Sequence, residues 1–242
     1  MDVWPDWRVD FSPWVLASVL SYLLGVQALR LSIAARILAW LADHEILEPA
    51  WWGIRLTYLV GFPYLALLAG GASPRGMGLT GLDWVHTLGL GVPLAMAAWG
   101  VILIAWRQAH LLSPDSTLIF HRNTRAAGWL SAALEAGAQQ MHWAFYRDAW
   151  VRWWDPYWGA WASLLTLGLE WISGSWIWRS KRVSLYPLMV HALLAFITTA
   201  LYLTVPNWWL NWGLHTLTLL STRTAIAIGP AQILSQSQTT NG

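Results

Sequence analysis

Apolar positions in this chain come in long uninterrupted runs, and polar positions gather in short stretches between them. Runs of about twenty apolar residues are the length needed to cross a bilayer as a helix. The first predicted span is Trp14 to Leu31, and SIAARILAWLAD after it reads as an amphipathic piece with Arg30 and Arg36 on its polar side. The second span is Ile54 to Gly71, with Pro63 as a kink, followed by the turn-rich GGASPRGMGLTG. The third is Trp84 to Trp106, and the longest polar loop runs from Arg107 to Arg125. Three further spans follow between Ala126 and Leu203: AAGWLSAALEAGAQQMHWAFYR, YWGAWASLLTLGLEWISGSWIW and SLYPLMVHALLAFITTALYL. A weaker seventh covers Trp208 to Ser221. The pattern predicts an all-α, polytopic membrane bundle of about 7 transmembrane helices, with one transmembrane domain over 14–221. Residues 1–13 form an acidic lead without the basic start and cleavage site of a signal peptide. Residues 222–242 form a short tail whose last residues are expected to fray. No internal repeat stands out, and no loop is long enough for a soluble domain.

Composition sharpens this picture. The 242 residues are 57% hydrophobic and only 11% charged, where a soluble domain carries about 25% charged residues. A net charge of +2, with no basic run or recognition motif, argues against nucleic acid. Without cysteine, the chain has no disulfides, thiolate metal sites or cysteine nucleophile. The 22 Trp residues suit interfacial belts, where the ring is apolar and its N–H stays wet. The pairs Trp51-Trp52, Trp153-Trp154 and Trp208-Trp209 are expected at segment ends. With seven spans, one side holds Arg30, Arg36, Arg55, Arg107, Arg122, Arg125, Arg179, Lys181, Arg182 and Arg223. The other holds Arg8, Arg75, Arg147 and Arg152, which puts the amino terminus outside and the carboxyl terminus in the cytoplasm.

The three central spans carry polar groups that a membrane interior tolerates only for a reason. An ionisable side chain there costs about 2.5–3.5 kcal/mol on insertion scales, so such groups pair with one another or line a functional cavity. Residues three, four and seven apart share a helix face, so Glu135, Gln139, His142 and Tyr146 form one stripe, with Gln140 and Trp143 to its side. Glu170 and His191 can face that stripe from the next two helices. Glu135, His142, Glu170 and His191 converging in this way would hold a divalent metal such as zinc, or run acid–base chemistry. The plainer alternative is that these groups hydrogen-bond across helices and fix the packing. No HExxH occurs, and no two histidines stand at metal-ligand spacing on one helix. GMGLTG lacks the lysine of a P-loop, and no GxSxG marks a nucleophile elbow. Ala133 and Gly137 suit close helix packing, while His86, His110, His121 and His215 look solitary.

The order of features over residues 73–205 resembles the CPBP/Abi family of intramembrane proteases, the type II CAAX-prenyl-endopeptidase group. That family's EExxFRG motif is matched in place by HWAFYRD, with Phe145, Tyr146 and Arg147 in family-like positions and His142 and Trp143 where the glutamates stand. Its FxxxH helix is matched by WGAWASLLTLGLEWISG, with Glu170 at the Phe position and Gly174 at the His. Its HxxxN element is matched by SLYPLMVHALLAF, with His191 kept and Ala195 replacing the Asn. SPRGMGLTG resembles the family's R-x-x-G-L loop.

The resemblance implies a helical protease-like core in which a glutamate activates water and the histidines and asparagine hold the oxyanion. Of those positions His191 survives, beside Arg147. Glu135 lies about two turns, roughly 10 Å, from the expected base. Losing base and oxyanion groups together costs several factors of about 10²–10⁴. The chain therefore reads as a catalytically degenerate member: a non-enzymatic scaffold or accessory subunit binding membrane lipid, another membrane protein or a hydrophobic peptide. No cofactor is expected beyond the metal considered above. Two alternatives stay open. One is an endopeptidase with a rewired catalytic set of Glu135, His142, Arg147, Glu170 and His191. The other is a metal- or proton-coupled transporter, which no inverted repeat or pair of broken helices supports.

Overall fold

The computed structural model describes residues 13–112, 128–178 and 186–227. Among these the secondary structure is helical throughout, with no strand. Helix α1 is Pro13–Ala28 and α2 is Ser32–Asp43, the two bent by 74°. Pro13 stands at the first helical position, where its missing N–H costs nothing. Helix α3, Leu47–Leu56, runs through a π-turn at Thr57–Gly61 into α4, Phe62–Leu68. The same device recurs where α5, Trp84–His86, runs through a π-turn at Thr87–Gly91 into α6, Val92–Leu112. Then come α7 (Trp129–Trp153), α8 (Pro156–Trp178), α9 (Tyr186–Thr204) and α10 (Trp208–Ala227).

The two π-turns share a local pattern, TYLVGFP and TLGLGVP, a threonine with glycine four residues on and proline six on. Pro63 and Pro93 have no N–H to continue the α-helical ladder, and their rings crowd the carbonyl four residues earlier. Widening the preceding turn to π spacing relieves that crowding. Each turn also sends a polar side chain inward: Tyr58 from the first, and Thr87 from the second, whose Oγ1 accepts from Asn207 Nδ2 at 3.1 Å.

Helix α7 is the axis of the bundle. From Ala132 to Val151 most of its side chains are buried, and it packs most extensively on α8 and α10. Small residues permit the approach: a Cβ on Gly159 would lie 2.6 Å from the Trp150 carbonyl and Val151 Cα, so α8 passes against the bare backbone of α7. Asp155 caps α8, accepting from Trp158 N–H at 2.8 Å, and Asn207 caps α10, accepting from the N–H groups of Trp209 and Leu210. The core joins Phe145, Tyr146, Trp143, Leu167, Leu194, Leu201, Met77 and Ile102 from several helices and from the loop after α4.

The exterior is apolar to an unusual degree. Leu16, Leu20, Leu24, Ile54, Leu68, Val101, Ile104, Leu165, Leu169, Ile172 and Phe196 are all exposed. Helices occupy each of the seven stretches predicted as spans, but among the described residues only Trp84–Gln108 is by itself long and apolar enough to cross a bilayer. The bent α1–α2 pair brings the number to at most two. Others are interrupted by a π-turn, by polar residues as in α7, or are rich in amphipathic Trp. Some boundaries also differ from the sequence reading. Helix α6 continues to Leu112, and residues 113–127, with most of the predicted polar loop, lie outside the described residues, as do 1–12, 179–185 and 228–242. Trp51 and Trp52 fall inside α3 rather than at its end. Arg147 and Arg152, expected near a loop, lie within α7 because that helix runs on to Trp153.

Candidate functional site

A buried carboxylate and its donors form the polar centre. Glu170, on α8, is 5% exposed, and its Oε1 accepts from the hydroxyls of both Tyr58 and Tyr146. His142 Nε2 sits 3.3 Å from each carboxylate oxygen. His142 and Tyr146 are one turn apart on α7, which is why both reach Glu170. Tyr58 comes from the first π-turn, and Ser18, fully buried on α1, lies 3.2 Å from the Tyr58 hydroxyl and 3.0 Å from that of Tyr146. A phenol has one hydrogen. With both phenol hydrogens given to Glu170, the phenol oxygens are left as acceptors for the Ser18 hydroxyl. The imidazole rests against both phenol rings, with centroids 4.9 Å from Tyr58 and 4.5 Å from Tyr146. His142 Nδ1 has no hydrogen-bond partner among the described residues. Burying a carboxylate is costly unless it is hydrogen-bonded, and three converging donors meet that cost. The cluster ties α1, the π-turn, α7 and α8 together.

The sequence placed Glu170 and His142 on facing helices, and the structure brings them into contact. Glu135 and His191 do not join them. Glu135 is two turns from His142 and turns toward α3, where Arg55 Nη1 lies 3.2 Å from its carboxylate and Gln139 Nε2 donates to it at 3.4 Å. This pair edges a shallow groove with Trp52, Leu56, Leu59 and Ala138. His191 on α9 faces α10 instead, its ring 6.5 Å from that of His215. Among the described residues no three of His, Asp and Glu gather closely enough to hold a metal. Glu135, His142, Glu170 and His191 therefore do not close on one point as the zinc set would require. A straight helix cannot turn residues 135 and 142 onto one compact site when they are separated by two turns of rise. Ala195 is buried, and Gly174 packs against the Tyr22 hydroxyl.

A second polar group sits between α7 and α10, where the sequence reading had left His215 solitary. His215 is fully buried, its Nδ1 3.1 Å from Gln140 Nε2 and its ring stacked on Trp143 at 5.2 Å. Asn211, one turn earlier on the same face, is also fully buried, and neither amide atom has a partner among the described residues. The spacing Asn211–His215 inside an apolar run was the available signal. Tyr58 and Ser18 gave none, since a hydroxyl-bearing residue in an apolar helix is ordinary. His86 is exposed at the end of α5; His121 lies outside the described residues, as does the His110 side chain.

At one end of the bundle, three connections are fastened together. The loop after α4 reaches Asp148 through Ser73 N–H at 2.9 Å, and Arg152, 3.1 Å from Asp148, also donates to the Gly71 carbonyl. Tyr202 donates to the Gly76 carbonyl at 2.6 Å, and Trp208 N–H to that of Gly78 at 2.8 Å. Gly78 has φ +74 and Gly76 lies directly against Asp148 Oδ1, so neither position accepts a larger side chain without movement. Arg147, 1% exposed, donates to the Thr198 carbonyl at 2.9 Å and lies over the Tyr202 ring at 4.7 Å. Compared with family models, with curated proteins and with solved structures, the chain finds no match.

Proposed function

We propose that this chain is a multi-pass membrane protein with a CPBP/Abi-like core, acting as a non-enzymatic scaffold or accessory subunit that holds a membrane partner or a lipid-like ligand. The observation that carries the reading is the occupancy of Glu170. A general base needs a lone pair directed at its water. Here Oε1 is taken by two phenols and Oε2 faces the same imidazole; Glu170, His142 and Tyr146 are buried, and Tyr58 is partly buried. Such an arrangement fixes helices against one another. The apolar exterior supports the membrane setting, because this many exposed large apolar side chains call for lipid or a partner to cover them.

One observation favours a second reading. His142 occupies a family glutamate position and touches Glu170, so a carboxylate–imidazole pair survives with its members exchanged between helices. A rewired endopeptidase would use that pair. The two readings separate in a mild-detergent pulldown of the tagged protein from its native membrane, with mass spectrometry of co-purifying chains and elemental analysis. The scaffold reading expects a stoichiometric membrane protein or lipid that is retained by the His142→Phe, Glu170→Gln double variant. A membrane substrate cleaved by the wild type and left intact by Glu170→Gln would overturn it.

A further inference from the structure

A guanidinium presents five N–H hydrogens in a rigid planar fork and accepts none in return. Among the described residues Arg147 donates through Nη1 alone, toward the Thr198 carbonyl. Nε and Nη2 have no partner among the described residues, although the side chain is almost wholly buried. These two nitrogens form the side-on edge that grips two oxygens of one anionic group at once. Arg147 also makes no ion pair among the described residues: the carboxylate next to it in the chain, Asp148, turns its Oδ2 to Arg152 and Ser73 N–H, and its buried Oδ1 has no hydrogen-bond partner among the described residues either. A buried charge is retained when it is paired, and here the pairing edge has no partner among the described residues.

We propose that the Nε–Nη2 edge of Arg147 binds a small oxyanion, carried by a lipid headgroup or free in solution. The site lies at the bundle end fastened by the glycine-rich loop, since the Tyr202 ring under the guanidinium holds Gly76 of that loop. Displacing the loop is the route by which an anion enters. The inference goes beyond the scaffold reading and does not rest on it: the open fork is the same whether or not the protein cleaves a substrate.

The test uses the full chain in mild detergent, with its thermal midpoint followed against inorganic phosphate, acetate and phosphatidylglycerol in mixed micelles, and with diacylglycerol as the lipid lacking an oxyanion. The expected result is a saturable rise of about 5–10 °C at a hundredfold excess over the dissociation constant. A response to phosphatidylglycerol alone assigns a headgroup, and a response to phosphate or acetate assigns a soluble anion. Arg147→Met should weaken binding at least tenfold, and Arg147→Lys, which keeps the charge without the fork, should also weaken it. If the Met variant does not fold, the wild-type titrations and the phosphorus content of the purified protein decide. Absence of bound phosphorus together with no shift from any of the three anionic probes would overturn the proposal. So would an undiminished shift in a folded Arg147 variant.

Discussion

Taking the carboxylate from Glu170 tests how much of the polar centre is held by one residue. Glu170→Leu fills similar volume but strands two phenols and an imidazole in a buried setting. Each unmet donor costs about 1–3 kcal/mol, and Ser18 can accept from one of the phenols, so a loss of about 3–5 kcal/mol is expected. Tyr58→Phe removes one donor from a carboxylate that keeps two others, and should cost about 1 kcal/mol. Denaturant titration of the two variants in one detergent gives the comparison, and equal losses would mean that Glu170 is not the hub. At this scale the sequence was partly legible. His142 and Glu170 were readable because an ionisable group in an apolar run must find a partner, and helical spacing turned them toward each other. The neighbour of Glu135 was not legible, because spacing alone does not register Arg55, which approaches from a helix distant in sequence.

Among the elements, the α7–α8 crossing makes the sharpest prediction because two glycines of α8 differ only in what lies opposite them. Gly159→Ala puts a methyl into the Trp150 and Val151 backbone, which cannot give way without parting the helices, and should cost about 3 kcal/mol or more. Gly168→Ala meets nothing within 4 Å and should raise stability by about 0.5–1 kcal/mol through helix propensity alone. Matched thermal unfolding of both variants checks the sign as well as the size. The existence and order of the helices were legible, since apolar runs of that length have few other uses. The π-turns were not: Pro63 reads as a kink, but whether a helix absorbs a proline by bending or by widening one turn depends on what the widened turn reaches. Here it delivers Tyr58 to Glu170. His215 shows the same limit from the other direction, because its partner Gln140 lies seventy-five residues away, on another helix.

For the whole molecule, the decisive feature is the gathering of the loop after α4, the α7–α8 turn and the α9–α10 turn at one end. Helices that alternate in direction across a bilayer must collect every second connection on one face, and these are the connections that seven crossings would place together outside. The absence of native cysteine makes this directly testable by single-cysteine labelling in sealed membranes. Thr80 and Pro206 are exposed at the fastened end, and Asp43 is exposed at the close of α2, one crossing away. Thr80→Cys and Pro206→Cys should react with an impermeant maleimide from the same side, and Asp43→Cys only once the membrane is opened. Because Thr80 and Pro206 belong to connections separated by four predicted crossings, a shared side is required by the bundle as folded. Labelling from opposite sides would exclude the seven-span arrangement. A shared side for all three would mean that α1 to α4 do not cross as proposed and that the apolar exterior is covered by protein instead of lipid.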